Sequence, residues 1–286
     1  MPPARLWTAA AGLALTAALG ACGTAPPPPP AAGAAAAVPD RRPDATALLT
    51  GLVRKLNEQG SVHSTVRGQL GIVGELTGES TVQYRGPQVD LSLTGNTRSG
   101  SQPPQHVDLS IVDGVGYLRT PLIRPEPDKP WLRISSDGQD FAAKLLSPAL
   151  DQLHEAVDPH ATFAGVESAT RIADRAPDTV DGRPATRYEL RIITAQAART
   201  APDPQQRQRF RKAAESGEPE LGYQLWLDDH GLPVKFTAAQ RVAQAGDVSL
   251  TSTYRDWGTR ADISTPPADE IGVFHDLPAQ AQPPPR

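Results

Sequence analysis

The chain has 286 residues and a formal net charge of −4, with 30 prolines, 24 glycines and one cysteine. The acidic balance excludes a nucleic-acid binder that works through a basic face and a body held electrostatically on an anionic membrane. One cysteine excludes an internal disulfide, so a folded domain must be stabilised by its own core.

Arg5 precedes an uncharged apolar run from Leu6 to Leu19, and the small residues Gly20 and Ala21 lead to Cys22. This is the layout of a secretory leader. The run, about fourteen residues, is short of the roughly 20 that a membrane-spanning helix needs. Leu19-Gly20-Ala21-Cys22 resembles the bacterial lipobox, in which the thiol takes a diacylglyceryl group and the chain is cut just before it. Residues 1–21 are therefore expected to be a lipoprotein signal peptide and Cys22 the lipidation site. Two or more acyl chains, at about 0.8 kcal/mol per buried methylene, give stable anchoring where one would be marginal. Up to residue 43 the chain is nearly all Ala, Pro and Gly. Such a segment cannot bury a core and favours extended polyproline II. Residues 22–43 are thus a lipidated cysteine with a Pro/Ala-rich stalk, 44–276 the foldable domain, and 277–286 a disordered tail.

Asp44 is a candidate N-cap, and Leu48, Leu49, Leu52, Val53 and Leu56 follow at helical spacing until Gly60 stops the helix. Next come runs of period two. Val89, Leu91 and Leu93 alternate with Asp90, Ser92 and Thr94; Val107, Leu109 and Ile111 alternate with Asp108 and Ser110. Asp113-Gly114 turns the chain into Val115 and Tyr117. Further on, Tyr188, Leu190 and Ile192 and then Leu221, Tyr223, Leu225 and Leu227 repeat the pattern, and Asp229-His230-Gly231 turns into Val234 and Phe236. Val248, Leu250 and Tyr254 close the series. With strands at 62–72, 75–85 and 131–134, about nine to eleven antiparallel strands are predicted, each with one apolar and one wet face.

Two helical segments interrupt the strands. Phe141, Leu145, Leu146, Leu150, Leu153 and Val157 share a helical stripe within 139–157, where Pro148 predicts a kink or a second start. A polar helix is predicted from Asp203 to Glu215, in a segment, 195–219, that reads as a surface insertion. So few helices cover a twisted sheet sparsely, and the expectation is an apolar hollow between them.

Motifs for chemistry are scarce. His154-Glu155 begins a zinc-protease pattern, but Asp158 stands where the second histidine belongs and His160 falls off that face. His63, His106, His230 and His275 are scattered and read as surface residues, as do His154 and His160. No nucleophile elbow, phosphate loop or dinucleotide fingerprint is present. Asp228-Asp229 reads as hairpin-turn residues rather than a calcium pair, and Trp131, Trp226 and Trp257 as packing rather than ligand contacts. Nothing calls for a catalytic residue, a metal or a cofactor.

Three stretches, DGVGYLR (113–119), YQLWLDDHGLPVKFTA (223–238) and TYRDWGTRADISTPPADEI (253–271), together with the lipobox and the first helix, resemble the LppX/LprA/LprF/LprG-type lipoproteins of mycobacteria and other actinobacteria. The resemblance runs from Asp44 to Ile271. It implies an α+β, LolA/LolB-like fold, a curved, half-open antiparallel sheet wrapped around a few helices. It also implies an apolar cavity that holds acyl chains of lipids or lipoglycans, a non-enzymatic carrier on the extracytoplasmic face of the cell membrane, and a possible envelope transport partner. Leu145, Leu146, Leu150 and Leu153 are the candidate cavity-lining residues, with core packing as their competing role. The alternative functions are an envelope sensor or protein-interaction lipoprotein and, less favoured, a hydrolase whose site is assembled from distant residues.

Overall fold

The computed structural model describes residues 44–70, 74–121, 123, 125–135, 138, 141–242 and 246–272. The leader, Cys22, the stalk and the tail, as well as His275, lie outside them. Helix α1 (Ala45–Gln59) starts where expected. The Asp44 carboxylate accepts from Thr46 N, and Gly60 closes the last turn in the left-handed conformation with its N–H on Leu56 O. Its stripe buries Leu49, Leu52 and Leu56 completely or nearly so, at about 1.5–3 kcal/mol per side chain.

Six strands follow as a meander: β1 (Ser61–Leu70), β2 (Gly74–Arg85), β3 (Gln88–Arg98), β4 (Gln105–Val112), β5 (Val115–Arg119) and β6 (Trp131–Ile134). Helices α2 (Phe141–Val157) and α3 (Pro159–Phe163) lead to a second meander of β7 (Thr170–Val180), β8 (Arg183–Ile193), β9 (Glu220–Leu227), β10 (Pro233–Val242) and β11 (Gly246–Arg255). Helices α4 (Thr194–Thr200) and α5 (Pro204–Glu215) sit between β8 and β9. The first and last of these strands join the two meanders, His63 facing Arg255 through to Leu70 facing Val248. A two-residue strand β12 (Ile271–Gly272) adds in parallel to β6. The result is one sheet of twelve strands, ordered β12-β6-β5-β4-β3-β2-β1-β11-β10-β9-β8-β7.

This is the curved, half-open, mostly antiparallel sheet with few helices that was expected. The curl is visible in what α2 touches. It packs on β10 and β11 and also on β6, although six strands separate β6 from β10 in the sheet. Only a sheet bent back toward itself brings those strands to one helix. Glycine aids the bend: Gly78 and Gly95 face each other across β2 and β3. A Cβ on Gly95 would stand 2.4 Å from Thr77 O and 2.8 Å from Gly78 Cα. Gly95→Ala is therefore expected to destabilise the domain by about 1–3 kcal/mol through a backbone shift, read as a lower urea midpoint.

The sheet has one strand more than the upper end of the expected range, and the two strands that no residue pattern located are β7 and β12. The first escapes period-two reading because most of its residues are exposed on either face, as befits a sheet edge, where Pro177 also blunts pairing. Helix α2 runs as one element through Pro148, neither split nor restarted. The 195–219 segment is more than a surface insertion. Phe210 of α5 is fully buried and belongs to the main core.

Candidate functional site

Inward-facing side chains of the sheet, α1, α3 and the C-terminal half of α2 form one apolar core. At the end near α3 it is solid. Phe163 stands edge-on to Tyr223 and Phe236, at 5.5 and 6.0 Å between ring centres, and those two rings stack at 5.8 Å. Under the middle of α2 the packing changes. Leu132 and Ile134 of β6 form a separate small cluster with Leu118, Ile123, Leu146 and Leu150. Between it and the main core lies a cleft of about 80 Å3, with Val89, Ile111, Ile134 and Leu150 on its walls. Leu150 closes down on a bare stretch of β5, since a Cβ at Gly116 would meet Leu150 Cδ1 at 2.4 Å.

The four leucines proposed from sequence therefore occupy different places. Leu150 lines the cleft, Leu146 is half-buried against β6, and Leu153 is buried in the main core. Leu145 lies on α2, but its side chain is outside what the structure describes. The hollow is also smaller than the sparse roof suggested, because α3 and α4, which no periodicity announced, bring Phe163 and Ala197 into the core.

The cleft meets a much larger groove, of about 1270 Å3, with which it shares Val89, Gly114, Asp151 and His154. Four helices build the groove's walls: Asn57 from α1, Asp151, His154 and Glu155 from α2, His160 from α3, and Arg209 and Lys212 from α5. Asp113, Glu167 and Asp203 also line it, so carboxylates outnumber Arg and Lys there. Glu155, 8 % exposed, is ion-paired with Arg209. Burial pulls the Arg209 guanidinium below its usual range, against the charges of Tyr223 and Asp151. At the rim Asp151 keeps solvent contact, yet the walls exclude enough water to push its carboxyl up; Arg209 opposes this and Asp203 adds to it.

Four buried side-chain atoms on these walls have no hydrogen-bond partner: Asn57 Oδ1, His154 Nε2, Glu155 Oε2 and Arg209 Nε. Native structures leave few such atoms, and each calls for an occupant or a role. Beneath the groove the polar groups are satisfied. The fully buried Asp158 accepts from Tyr84 Oη at 2.9 Å and from the backbone N–H groups of His160 and Ala161 at 3.1 and 3.0 Å. Tyr254 Oη donates to Val157 O at 2.7 Å.

The surface reading of the two helix histidines does not hold. His160 is 3 % exposed, and the imidazole of His154 has its Nε2 sealed from solvent. Burial pushes His154 below its ordinary value; the Asp158 charge opposes this and His160 reinforces it. A depressed folded-state pKa leaves stability intact above the unfolded value of about 6.5 and removes it as pH falls below that, by about 1.4 kcal/mol per unit of depression. The melting temperature is thus expected to drop between pH 7.5 and pH 5, and His154→Gln to flatten that drop. A slope unchanged by the substitution would refute the assignment.

The tryptophans pack, as expected. Trp257 stacks on Tyr84 at 6.4 Å, Trp226 lies in a small cluster with Val180, Ala185 and Val234 and donates to Asp178, and Trp131 sits under Arg119. Asp228 holds its turn by accepting from His230 N and Leu232 N. Among the described residues no group of three His, Cys, Asp or Glu side chains could hold a metal ion, and no helix is long and apolar enough to cross a membrane.

A single curled antiparallel sheet, roofed by helices with a cleft and groove along one of them, defines the half-open α+β class anticipated from the sequence. Among solved structures the chain is similar to LprF from Mycobacterium bovis, with 16% identity and a TM-score of 0.43 over 78% of this chain and 97% of that one. It is also similar to the MucA/MucB complex structure from Pseudomonas aeruginosa, with 17% identity and a TM-score of 0.31 over 74% of this chain and 55% of that one. No protein-family model matches the chain, and no curated protein matches it.

Proposed function

We propose that this protein is a lipid-anchored carrier that takes acyl chains beneath α2 and moves amphiphilic molecules through the cell envelope. The observation that carries the reading is the cleft under Leu150, which has Val89, Ile111 and Ile134 as well as Asp151 and His154 on its walls, lies between two hydrophobic clusters and opens on a larger groove of mixed apolar and charged lining. An amphiphile needs that adjacency: a dry place for its tail beside a wet place for its head. The cleft as it stands is smaller than the roughly 300–1,000 Å3 of small-molecule pockets, so uptake requires α2 to lift. Pro148 supplies a weak point. It lacks the N–H that would bond one turn back, and it lies just before Leu150. Each methylene that then enters contributes about 0.8 kcal/mol. Anchoring through Cys22, on the extracytoplasmic face, belongs to the same proposal, as does a transport partner to which the load is passed.

The test uses the full chain carrying Cys22→Ser, purified and extracted for mass spectrometry, and titrated with a fluorescent fatty acid. Copurified lipid and saturable uptake are expected. Leu150→Trp, which fills the cleft, is expected to weaken uptake about tenfold or more, equivalent to about 1.4 kcal/mol, with the fold retained by circular dichroism. Lipid-free protein that takes up no probe would refute the carrier.

A further inference from the structure

We propose that the residues after β12 prolong that strand along β6 and lodge Phe274 beside the cleft, as an internal competitor for its ligand. β12 pairs only with Trp131 and Leu132, whereas β6 continues to Ile134. Among the described residues no strand covers Arg133 and Ile134 on that side. Open backbone of this kind is a template for one more stretch of extended chain. Val273 and Phe274 follow β12 directly, and both residue types favour strands.

The register is fixed before they begin. A Cβ at Gly272 would stand 2.8 Å from Pro125 Cγ and 3.1 Å from Lys129 Cβ, so β12 fits under the 125–129 turn only where it has no side chain. On the opposite face Ile271 packs against the cluster of Val112, Tyr117 and Ile263. A slip of one residue would drive a side chain into the turn and withdraw Ile271 from that cluster. Continued in this register, Val273 lies beside Arg133 and Phe274 beside Ile134, with the strands about 4.8 Å apart. Period two places Phe274 on the face of Gly272, Leu132 and Ile134, toward α2. There Leu132 and Ile134 cluster with Leu146 and Leu150, and Leu146 is only half-buried. Ile134 and Leu150 also wall the cleft. A phenyl ring seated on this surface takes the apolar contacts that an entering acyl chain would make. The docking stands on strand register alone, and its effect on uptake rests on the carrier reading.

The experiment uses the full chain with Cys22→Ser, alone and with Phe274→Asp or Phe274→Leu added, and melting temperatures confirm the fold of each. Hydrogen exchange at residues 133–135, read by mass spectrometry, reports docking without any ligand. Titration with a fluorescent fatty acid reports competition. Exchange is expected to be about tenfold faster with Phe274→Asp, as for the loss of one buried apolar side chain, and close to the parent rate with Phe274→Leu. Phe274→Asp is also expected to tighten fatty-acid binding about tenfold, because the undocked fraction sets the apparent affinity. Faster exchange with no uptake by any of the proteins supports the docked strand and refutes the carrier. Faster exchange with uptake unchanged overturns the competition. Equal exchange in all of them overturns the proposal and leaves the carrier to its own test. Protection that grows with protein concentration would mean that a second copy covers β6, and it overturns the proposal as well.

Discussion

Phe163→Ala is expected to lower unfolding stability by about 3–5 kcal/mol, the range for a fully buried phenylalanine cut back to a methyl group. Phe163 is 0 % exposed and ends the short helix α3, where its ring closes the edge-on contacts to Tyr223 and Phe236. Its neighbours are poorly placed to relax into the space. Tyr223 and Phe236 are held on adjacent strands, β9 and β10, and are already stacked on each other. Urea unfolding should show a lower midpoint with an unchanged slope. The substitution also tests where the interior can open. If this aromatic end is a permanent plug, the hole leaves acyl uptake at the α2 cleft unchanged. A stability loss below about 1 kcal/mol would mean that the end collapses freely and that the core there is softer than its packing indicates.

The contrast between that plug and the cleft under α2 explains which parts of the protein could be read from sequence. Period and punctuation located α1 to within a residue or two, because Asp44 and Gly60 bracket a stripe of leucines. They located ten strands, because each has one buried and one exposed face. The edge strand β7 has almost no buried face, and α4 is seven residues of mostly small side chains, so neither carries a period to detect. The groove was hidden for a different reason. Its walls come from α1, from α2 with α3, and from α5, far apart in the chain, and no local spacing links Asn57 to Glu155 or Arg209. One signal was present. Phe210 is a lone aromatic in an otherwise polar helix, and a helix with one buried anchor holds its other residues in fixed positions. That anchor turns the polar 204–215 segment from a solvent-exposed excursion into a wall.

The polar knot under the groove sets the second large effect. Asp158→Ala is expected to destabilise the domain by about 3–4 kcal/mol, from one lost helix cap and one buried donor left facing a void. The carboxylate does three things at once. It caps α3 through His160 N and Ala161 N, fixes the bend between α2 and α3, and takes the proton of Tyr84 Oη. Burial raises the Tyr84 phenol well above its ordinary pKa, and the Asp158 charge adds to this, so the hydroxyl remains a donor at all ordinary pH values. Asp158→Asn keeps an acceptor oxygen of the same shape and should recover about half of the loss, whereas Tyr84→Phe removes the donor and should recover part of it in the alanine background. The double-mutant cycle is the decisive measurement. A coupling near zero would show that Tyr84 and Asp158 act separately, and that the C-terminal half of α2 is fixed by apolar contacts alone. A coupling of about 1 kcal/mol or more would show that this half is pinned from below by a polar anchor. Opening is then confined to the part of α2 around Pro148 and Leu150, because the end of the helix at Val157 cannot lift without breaking that anchor.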